Sequence, residues 1–565
     1  MIPSRFGPNH DPNHKFSNPK TVSKKVSHAY KLVGSNDKPV AAVKCCSISW
    51  YVVVTCSVLG LLLLLFCLNS SLFFSNDINL TLDAVENARK NPSTNVKVIP
   101  YVQSLDQQPA EKLDEQNAGK LDECAGKYIY VLDVPSEFNS DLLENCSVLS
   151  PWTDMCQLLK NSGLGPRLDF SDENVFSGSD WFTTDQFSLE VIFHNRMKQY
   201  KCLTNDYSKA SAVFVPYYSG LDVGRYLWNL NATLRDATSV KMAKYLSQRP
   251  EWKVFGGRDH FLIVGRITWD FRRQSENTSE YSGWGNRLFH IPEIQNMTSL
   301  LLELSPKSKF EIAVPYPTFF HPSSENEVHI WQEKMRQKRR PYLFSFAGAP
   351  RPNLKESIRN VIIKECLASE GNRCKFVNCK PNVTDCSKPE TVMKLFQSSV
   401  FCLQPPGDSY TRKSIFDTIL AGCIPIFLHP ASAYVQYIWH LPKDYSSYSV
   451  FIPMDELKNG NITIEKRLLQ IPKKKVVAMR EEVIKLIPRI VYANPNSKVD
   501  GFEDAFDVAV KGVLNRVAKF KSEMEGGKNG TFESVPDELA WKYNFFGDLE
   551  NREWDKYFGD SFGIQ

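Results

Sequence analysis

Between Ile48 and Leu68 the chain reads ISWYVVVTCSVLGLLLLLFCL, 21 residues with neither a charge nor a polar stripe. At about 1.5 Å per residue a helix of that length spans about 31 Å, the thickness of a hydrocarbon core. Eight Lys and Arg stand against two Asp in residues 1–47, and a positive flank of that kind stays on the cytosolic side. The pattern predicts a cytosolic tail over 1–47 and a single-pass transmembrane signal-anchor helix over 48–68. A cleaved signal peptide does not fit, because such segments start earlier, are shorter and end in a small-x-small site. Residues 69–123 are rich in Asn, Gln, Asp, Glu and Lys without a sustained period, which predicts a flexible stem.

From Cys124 onward, apolar runs alternate with helical periods. KYIYVLDVP (127–135), ASAVFVPYYS (210–219) and DHFLIVGR (259–266) read as strands, and FSLEVIFHNRMKQY (187–200) reads as a helix. The basic run EKMRQKRRP (333–341) reads as a solvated helix face and linker, and beyond it the alternation sharpens. Strands are predicted at 341–348, 375–379, 400–404 and 423–428, separated by helices at 353–367, 390–399 and 412–422. Asn353 and Glu356 make a capping-box-like start to the first of these helices. Such alternation implies an α/β chain with parallel sheets. Amphipathic runs follow at 476–491 and 503–520. The predicted division is an N-terminal Rossmann-like domain over 124–335, a C-terminal one over 336–500, and C-terminal helices and tail over 501–565.

Charge and cysteine usage refine this picture. The net charge is +5, of which residues 1–47 supply +6, so the remainder sums to −1. A body without basic excess argues against a nucleic-acid binder. Beyond the apolar run lie Cys124, Cys146, Cys156, Cys202, Cys366, Cys374, Cys379, Cys386, Cys402 and Cys423. An even number in a chain carried across a membrane predicts disulfides, with local pairs in the 366–386 cluster. Zinc binding calls for tighter Cys-x-x-Cys spacing than this cluster has. Sequons at Asn79, Asn145, Asn231, Asn277, Asn296, Asn382, Asn461 and Asn529 predict a glycosylated surface.

Ligands of open parallel sheets bind beyond the carboxyl ends of the strands. The loop PPGDSYT (405–411) follows one predicted strand and feeds a helix, whose first amides and dipole suit a diphosphate. Gly407 permits close main-chain approach, Ser409, Tyr410 and Thr411 offer hydroxyls, and Arg412 and Lys413 add positive charge. Asp417, inside the helix, could accept both hydroxyls of a ribose. AGAPRP (347–352), at the end of a neighbouring strand, brings Arg351, whose charge would offset that of a leaving nucleotide. The candidate donor-binding set is Arg351, Gly407, Asp408, Ser409, Thr411, Arg412, Ser414 and Asp417. For either loop alone, a Pro/Gly turn with a surface arginine is the plainer alternative.

FSFAGAPRP (344–352), FCLQPPGDSYTRKSIFDTILAGCIPIF (401–427), HPASAYVQYIWHLP (429–442) and YSVFIP (448–453) resemble the exostosin-type glycosyltransferases of family 47, and within them the plant xyloglucan galactosyltransferases. LSPWTDMC (149–156), GLGP (163–166), YYSGLDVGRYLW (217–228), RPEWKVFGGRDHFLIVGRITWDFRR (249–273) and PYPTFFHP (315–322) extend the resemblance over nearly everything from Cys124 to about Lys521. It implies a GT-B fold, two Rossmann-like domains with a cleft, the C-terminal one holding the UDP-sugar and the N-terminal one the acceptor. It further implies an inverting Golgi type II enzyme, with its body lumenal, that moves galactose from UDP-galactose onto xylosyl side chains of xyloglucan, in possible company with other cell-wall glycosyltransferases. The sequence holds no Asp-x-Asp motif, so no metal cofactor is expected, with Arg351, Arg412 and the helix N-terminus in place of a divalent cation. Two positions depart from the family pattern: Pro406, where a polar or basic residue is expected, and Asp417, where many members have Glu.

An inverting transfer needs a base near the acceptor hydroxyl. The candidates are Asp222, Asp259 and His260, with Asp270 as a fourth. A turn-capping aspartate and a satisfied core histidine are the competing readings of the Asp259–His260 pair. Asp222 and Arg225 could instead bind acceptor hydroxyls, and Tyr217, Tyr218, Trp228, Trp269 and Trp284 could stack on sugar rings or belong to the core. Alternatives to galactose transfer are the same fold using UDP-galacturonate or UDP-arabinose, and a catalytically silent membrane glycoprotein that organises the endomembrane system or a synthase complex.

Overall fold

The computed structural model describes residues 122–169, 173–227, 231–273, 283–351, 357–369, 371, 373–380, 383–498, 501–526 and 557–558. All belong to the unit formed by Met1–His10 and Leu121–Gln565, the other unit being Asp11–Lys120. The expected cytosolic tail, membrane helix and nearly all of the stem lie outside the described residues, as do Asn79, Trp228, Asn277, Asn382 and Asn529. Among the described residues no helix is long and apolar enough to cross a membrane.

The apolar runs of the N-terminal half become β1 (Tyr128–Val131), β2 (Leu203–Thr204), β3 (Ala210–Val215), β4 (His260–Ile267), β5 (Thr298–Glu303) and β6 (Glu311–Ala313). They form one sheet in the order β2-β1-β3-β4-β5-β6, every pairing parallel. β4 is buried along its whole length, which is why it reads as a continuous apolar run rather than an alternating one. The strand expected over 210–219 ends at Val215 because Ser219–Gly224 closes into a helix.

The C-terminal half repeats the plan with β7 (Tyr342–Gly348), β8 (Cys374–Asn378), β9 (Ser399–Gln404), β10 (Ile424–Phe427) and β11 (Val450–Phe451). Their order is β11-β10-β9-β7-β8, again all parallel. In each sheet the strand order reverses once, between β1 and β3 and between β7 and β9. The carboxyl side of such a reversal leaves a crevice, because the helices on its two sides cover opposite faces.

The basic run is a fastener rather than a solvated linker. The helix Glu325–Gln337 ends in it. Arg336 makes a two-pronged pair with Glu481, and Arg340 donates to the carbonyls of Phe396, Ser399 and Ala421. Of the two amphipathic runs, the first is split into Lys473–Lys485 and Ile487–Ile490, with Pro488 lacking the amide that would continue a helix. The second is the helix Ala505–Glu525, started by an Asp504/Asp507 capping box. It returns to the first half: Phe506 lies 4.7 Å from the Phe193 ring, and Asp504 pairs with Arg196 at 3.2 Å. The chain therefore crosses back to the first half after the second sheet.

The ten cysteines pair as Cys124–Cys202, Cys146–Cys156, Cys366–Cys374, Cys379–Cys386 and Cys402–Cys423. The last bridge ties β9 to the entry of β10, next to the loop expected to bind the donor. Among the described sequons, Asn145, Asn231 and Asn461 are exposed and Asn296 is half-buried.

Candidate functional site

The segments after β7 and β9 flank the reversal of the second sheet, and they carry Arg351 and the 405–411 loop. Arg351 donates to Asp408 at 2.5 Å, both side chains being 24% exposed. Arg359, two residues into the helix Ile358–Ala368, joins them. Burial pushes the Asp408 carboxyl up, but Arg412, Arg351 and Arg359 outweigh it and hold Asp408 below the ordinary carboxylate range. The converse shows on Arg359, where burial and then the charges of Arg412 and Arg351 push the guanidinium down to about 10. Three guanidiniums thus face one carboxylate. The buried Nε and Nη2 of Arg412 have no hydrogen-bond partner, so the cluster is short of acceptors.

Gly407 is required here for a steric reason. A Cβ at this position would overlap the Arg412 guanidinium, so that group lies flat against the Gly407 main chain. The Gly407 amide donates to the Ser409 carbonyl at 2.9 Å, which closes the turn around Asp408.

Thr411, Ser414 and Asp417 of the expected donor set are engaged within the protein, while Ser409 is half-buried in the loop. The helix begins at Ser414 rather than Arg412. Ser414 Oγ donates to Gln404 at 2.6 Å. The Thr411 side chain is buried. Both Asp417 oxygens accept from Lys413 Nζ, at 2.8 and 3.0 Å, and this ammonium also sits 3.3 Å from the centre of the Phe319 ring. Burial pushes the Asp417 carboxyl up, against the pull of Lys413. Asp417 is thus buried and paired with Lys413 one helical turn away.

A residue outside the sequence-derived set connects the two sheets. Glu303, fully buried at the carboxyl end of β5, accepts the Tyr410 and Thr411 amides at 3.2 and 2.9 Å and the Trp269 indole N–H at 2.8 Å. Two loop amides that would suit a phosphate are therefore already taken by a carboxylate, and the guanidiniums are left as the anion binders. Next to this contact Gln436 makes two hydrogen bonds with the Leu304 main chain, and Tyr437 donates to the Leu302 carbonyl at 2.9 Å. The carboxyl end of β5 thus meets the segments after β9 and β10. Tyr410 stacks on His429 at 5.0 Å.

The expected bases lie elsewhere. Asp259 and His260 bond to each other at 2.7 Å and stand at the amino end of β4, on the opposite edge of the sheet from its strand-end loops. His260 is fully buried and its ring lies 5.1 Å from Trp252. The pair is packed in the core, at the edge away from the crevice. Asp222 stands on the correct side, in the helix that follows β3, but it is buried on Arg225 and near the Tyr217 hydroxyl. Burial pushes its carboxyl up, opposed by Arg225. Asp270 accepts from Arg266 and Trp284. Tyr217 and Tyr218 are core residues, while Trp269 and Trp284 are half-buried at the carboxyl edge. Among the described residues no group of three or more His, Cys, Asp or Glu is arranged to hold a metal ion.

Comparison with known proteins gives a match to the Exostosin GT47 domain over residues 123–468, more than half of the chain. The chain is 51% identical over 439 residues to the xyloglucan galactosyltransferase MUR3 of Arabidopsis thaliana, covering 77% of this chain and 70% of that protein. It is 46% identical over 487 residues to the probable xyloglucan galactosyltransferase GT12 of the same plant, covering 85% and 94%. It is 41% identical over 398 residues to xyloglucan-specific galacturonosyltransferase 1, also of Arabidopsis thaliana, covering 70% and 58%.

Proposed function

The chain belongs to the exostosin GT47 family, and from that premise we propose that it moves galactose from UDP-galactose onto xylosyl side chains of xyloglucan. It is a glycosyltransferase, and its relatives MUR3 and GT12 are named for this acceptor and sugar. The observation that carries the donor half is the convergence of Arg351, Arg359 and Arg412 at the strand reversal of the second sheet. In a partly dehydrated crevice these charges stabilise the diphosphate as the bond to the sugar breaks. In this proposal the two sheets are the halves of a GT-B enzyme, the displacement inverts the anomeric carbon, and the guanidiniums do the work a divalent cation does elsewhere. The acceptor binds beyond the carboxyl edge of the first sheet, where Trp269 and Trp284 offer ring faces.

The proposal also puts the catalytic body in the Golgi lumen behind the 48–68 anchor. The five disulfides and the exposed Asn145, Asn231 and Asn461 support passage through an oxidising, glycosylating compartment. The similarity to a galacturonosyltransferase keeps UDP-galacturonate as the second donor to test. The experiment incubates detergent-solubilised full-length protein with xyloglucan oligosaccharides and UDP-galactose, UDP-galacturonate or UDP-arabinose. A mass gain of one hexose, retained in EDTA, is expected with UDP-galactose. No gain with any donor would reject the enzymatic reading in favour of a silent membrane glycoprotein.

A further inference from the structure

We propose that Asp408 is a resident counter-charge of the donor site, one that orders the three arginines while the site is empty and competes with the diphosphate for them when it is filled. The inference deepens the donor assignment above and rests on it. Its consequence is that Asp408 weakens the hold on UDP and so speeds release of the product.

The loop contains two aspartates in contrasting settings. Asp417 is 4% exposed and holds Lys413 with both oxygens, an arrangement internal to one helix. Asp408 is a quarter exposed and reaches across from the β9 loop to Arg351 beyond β7. This carboxylate therefore joins the segments after β7 and β9 across the strand reversal, where the arginines gather.

Its main chain is held in a closed turn by the Gly407 N–H bond to the Ser409 carbonyl, and Glu303 ties the loop to β5 through the Tyr410 and Thr411 amides. A diphosphate drawn to Arg351, Arg359 and Arg412 therefore arrives beside a fixed negative charge. Asp408 does not satisfy the whole cluster, since the buried Arg412 Nε and Nη2 atoms, packed against Gly407, lack an acceptor. One carboxylate among three guanidiniums keeps the cluster cationic enough to attract the donor, yet less cationic than the arginines alone. The charge it cancels is charge the leaving UDP no longer has to be pulled away from.

The test is calorimetric titration of UDP into full-length wild type, Asp408→Asn and Asp408→Glu, at low and high salt. Asp408→Asn should bind UDP about tenfold more tightly, with a lower KM for UDP-galactose and stronger inhibition by added UDP. Asp408→Glu should stay close to wild type, and the gain in Asp408→Asn should shrink at high salt, as a charge effect does and a packing effect does not. Asp408→Ser, the second neutral variant, carries the same expectation if Asp408→Asn folds poorly. Equal or weaker UDP binding by the neutral variants, with wild type binding UDP, overturns this inference alone. Wild-type protein that binds no UDP overturns the donor assignment and this inference with it.

Discussion

Replacing Gly407 by Ala adds one methyl group where the Arg412 guanidinium lies. The new Cβ would overlap its Nη2, Cζ and Nε atoms. Gly407 does not adopt a positive φ, so alanine fits the backbone, and what must move is the end of a flexible side chain. The cost to folding is therefore small, less than about 1 kcal/mol. The cost to donor binding is larger under the proposed function, because Arg412 is pushed out of its place beside Asp408 in the arginine cluster. Loss of one charge-assisted hydrogen bond is worth about 1.5–3 kcal/mol, which corresponds to about 10- to 150-fold in affinity. The assay is kcat/KM for UDP-galactose at saturating xyloglucan oligosaccharide, alongside a thermal melt. Gly407→Ala should lose about 10- to 150-fold in kcat/KM, mostly through donor KM, with a nearly unchanged melting temperature. Activity within twofold of wild type would refute the claim that Arg412, held flat on Gly407, binds the donor.

Arg359→Ala should raise donor KM by about tenfold or more with little change in the melt, since the variant removes a crowded cation; a large fall in melting temperature would mark Arg359 as structural instead. Asp259→Asn should lower stability, because it weakens the buried pairing with His260, while kcat of the folded fraction stays near wild type; a kcat loss of a hundredfold or more would restore Asp259 as the base. Burial pushes His194, His321 and His429 down to about 4 and His440 to about 3. The stability these contribute is present above about pH 6.5 and is lost as pH falls towards 4. Burial pushes Glu190, Glu327 and Asp507 up to about 7, so their share is present at low pH and lost as pH rises through 7. His440→Gln should therefore soften the fall of the urea midpoint between pH 6.5 and 4; a variant whose midpoint falls over that interval as steeply as wild type would contradict the assignment.

Much of the second sheet was legible because its central strands β7, β9 and β10 are largely buried and appear as apolar runs between helical periods. β7 to β10 all lie within a residue or two of the expected limits. β5 and β6 were missed. β5 ends in Glu303, a charged residue in a fully buried strand, and what makes that tolerable is the Trp269 indole and two amides more than a hundred residues away. No local pattern announces such a partner. Arg359 was hidden for the same reason, since its approach to Asp408 depends on how a helix packs beside the strand reversal. Two other placements had a signal in the sequence. Asp259 and His260 stand at the start of a strand, and residues at the start of a parallel strand lie on the edge away from the ligand crevice. Lys413 and Asp417 are four residues apart on a helix, the spacing at which opposite charges meet.

The most direct test is the position of bound UDP in an experimental structure of the full-length protein with UDP and a xyloglucan oligosaccharide. The diphosphate should lie within hydrogen-bonding distance of at least two of Arg351, Arg359 and Arg412, beyond the ends of β7 and β9, with the glycan against the carboxyl edge of the first sheet. UDP bound away from these arginines, with all three still turned to Asp408 alone, would contradict the account.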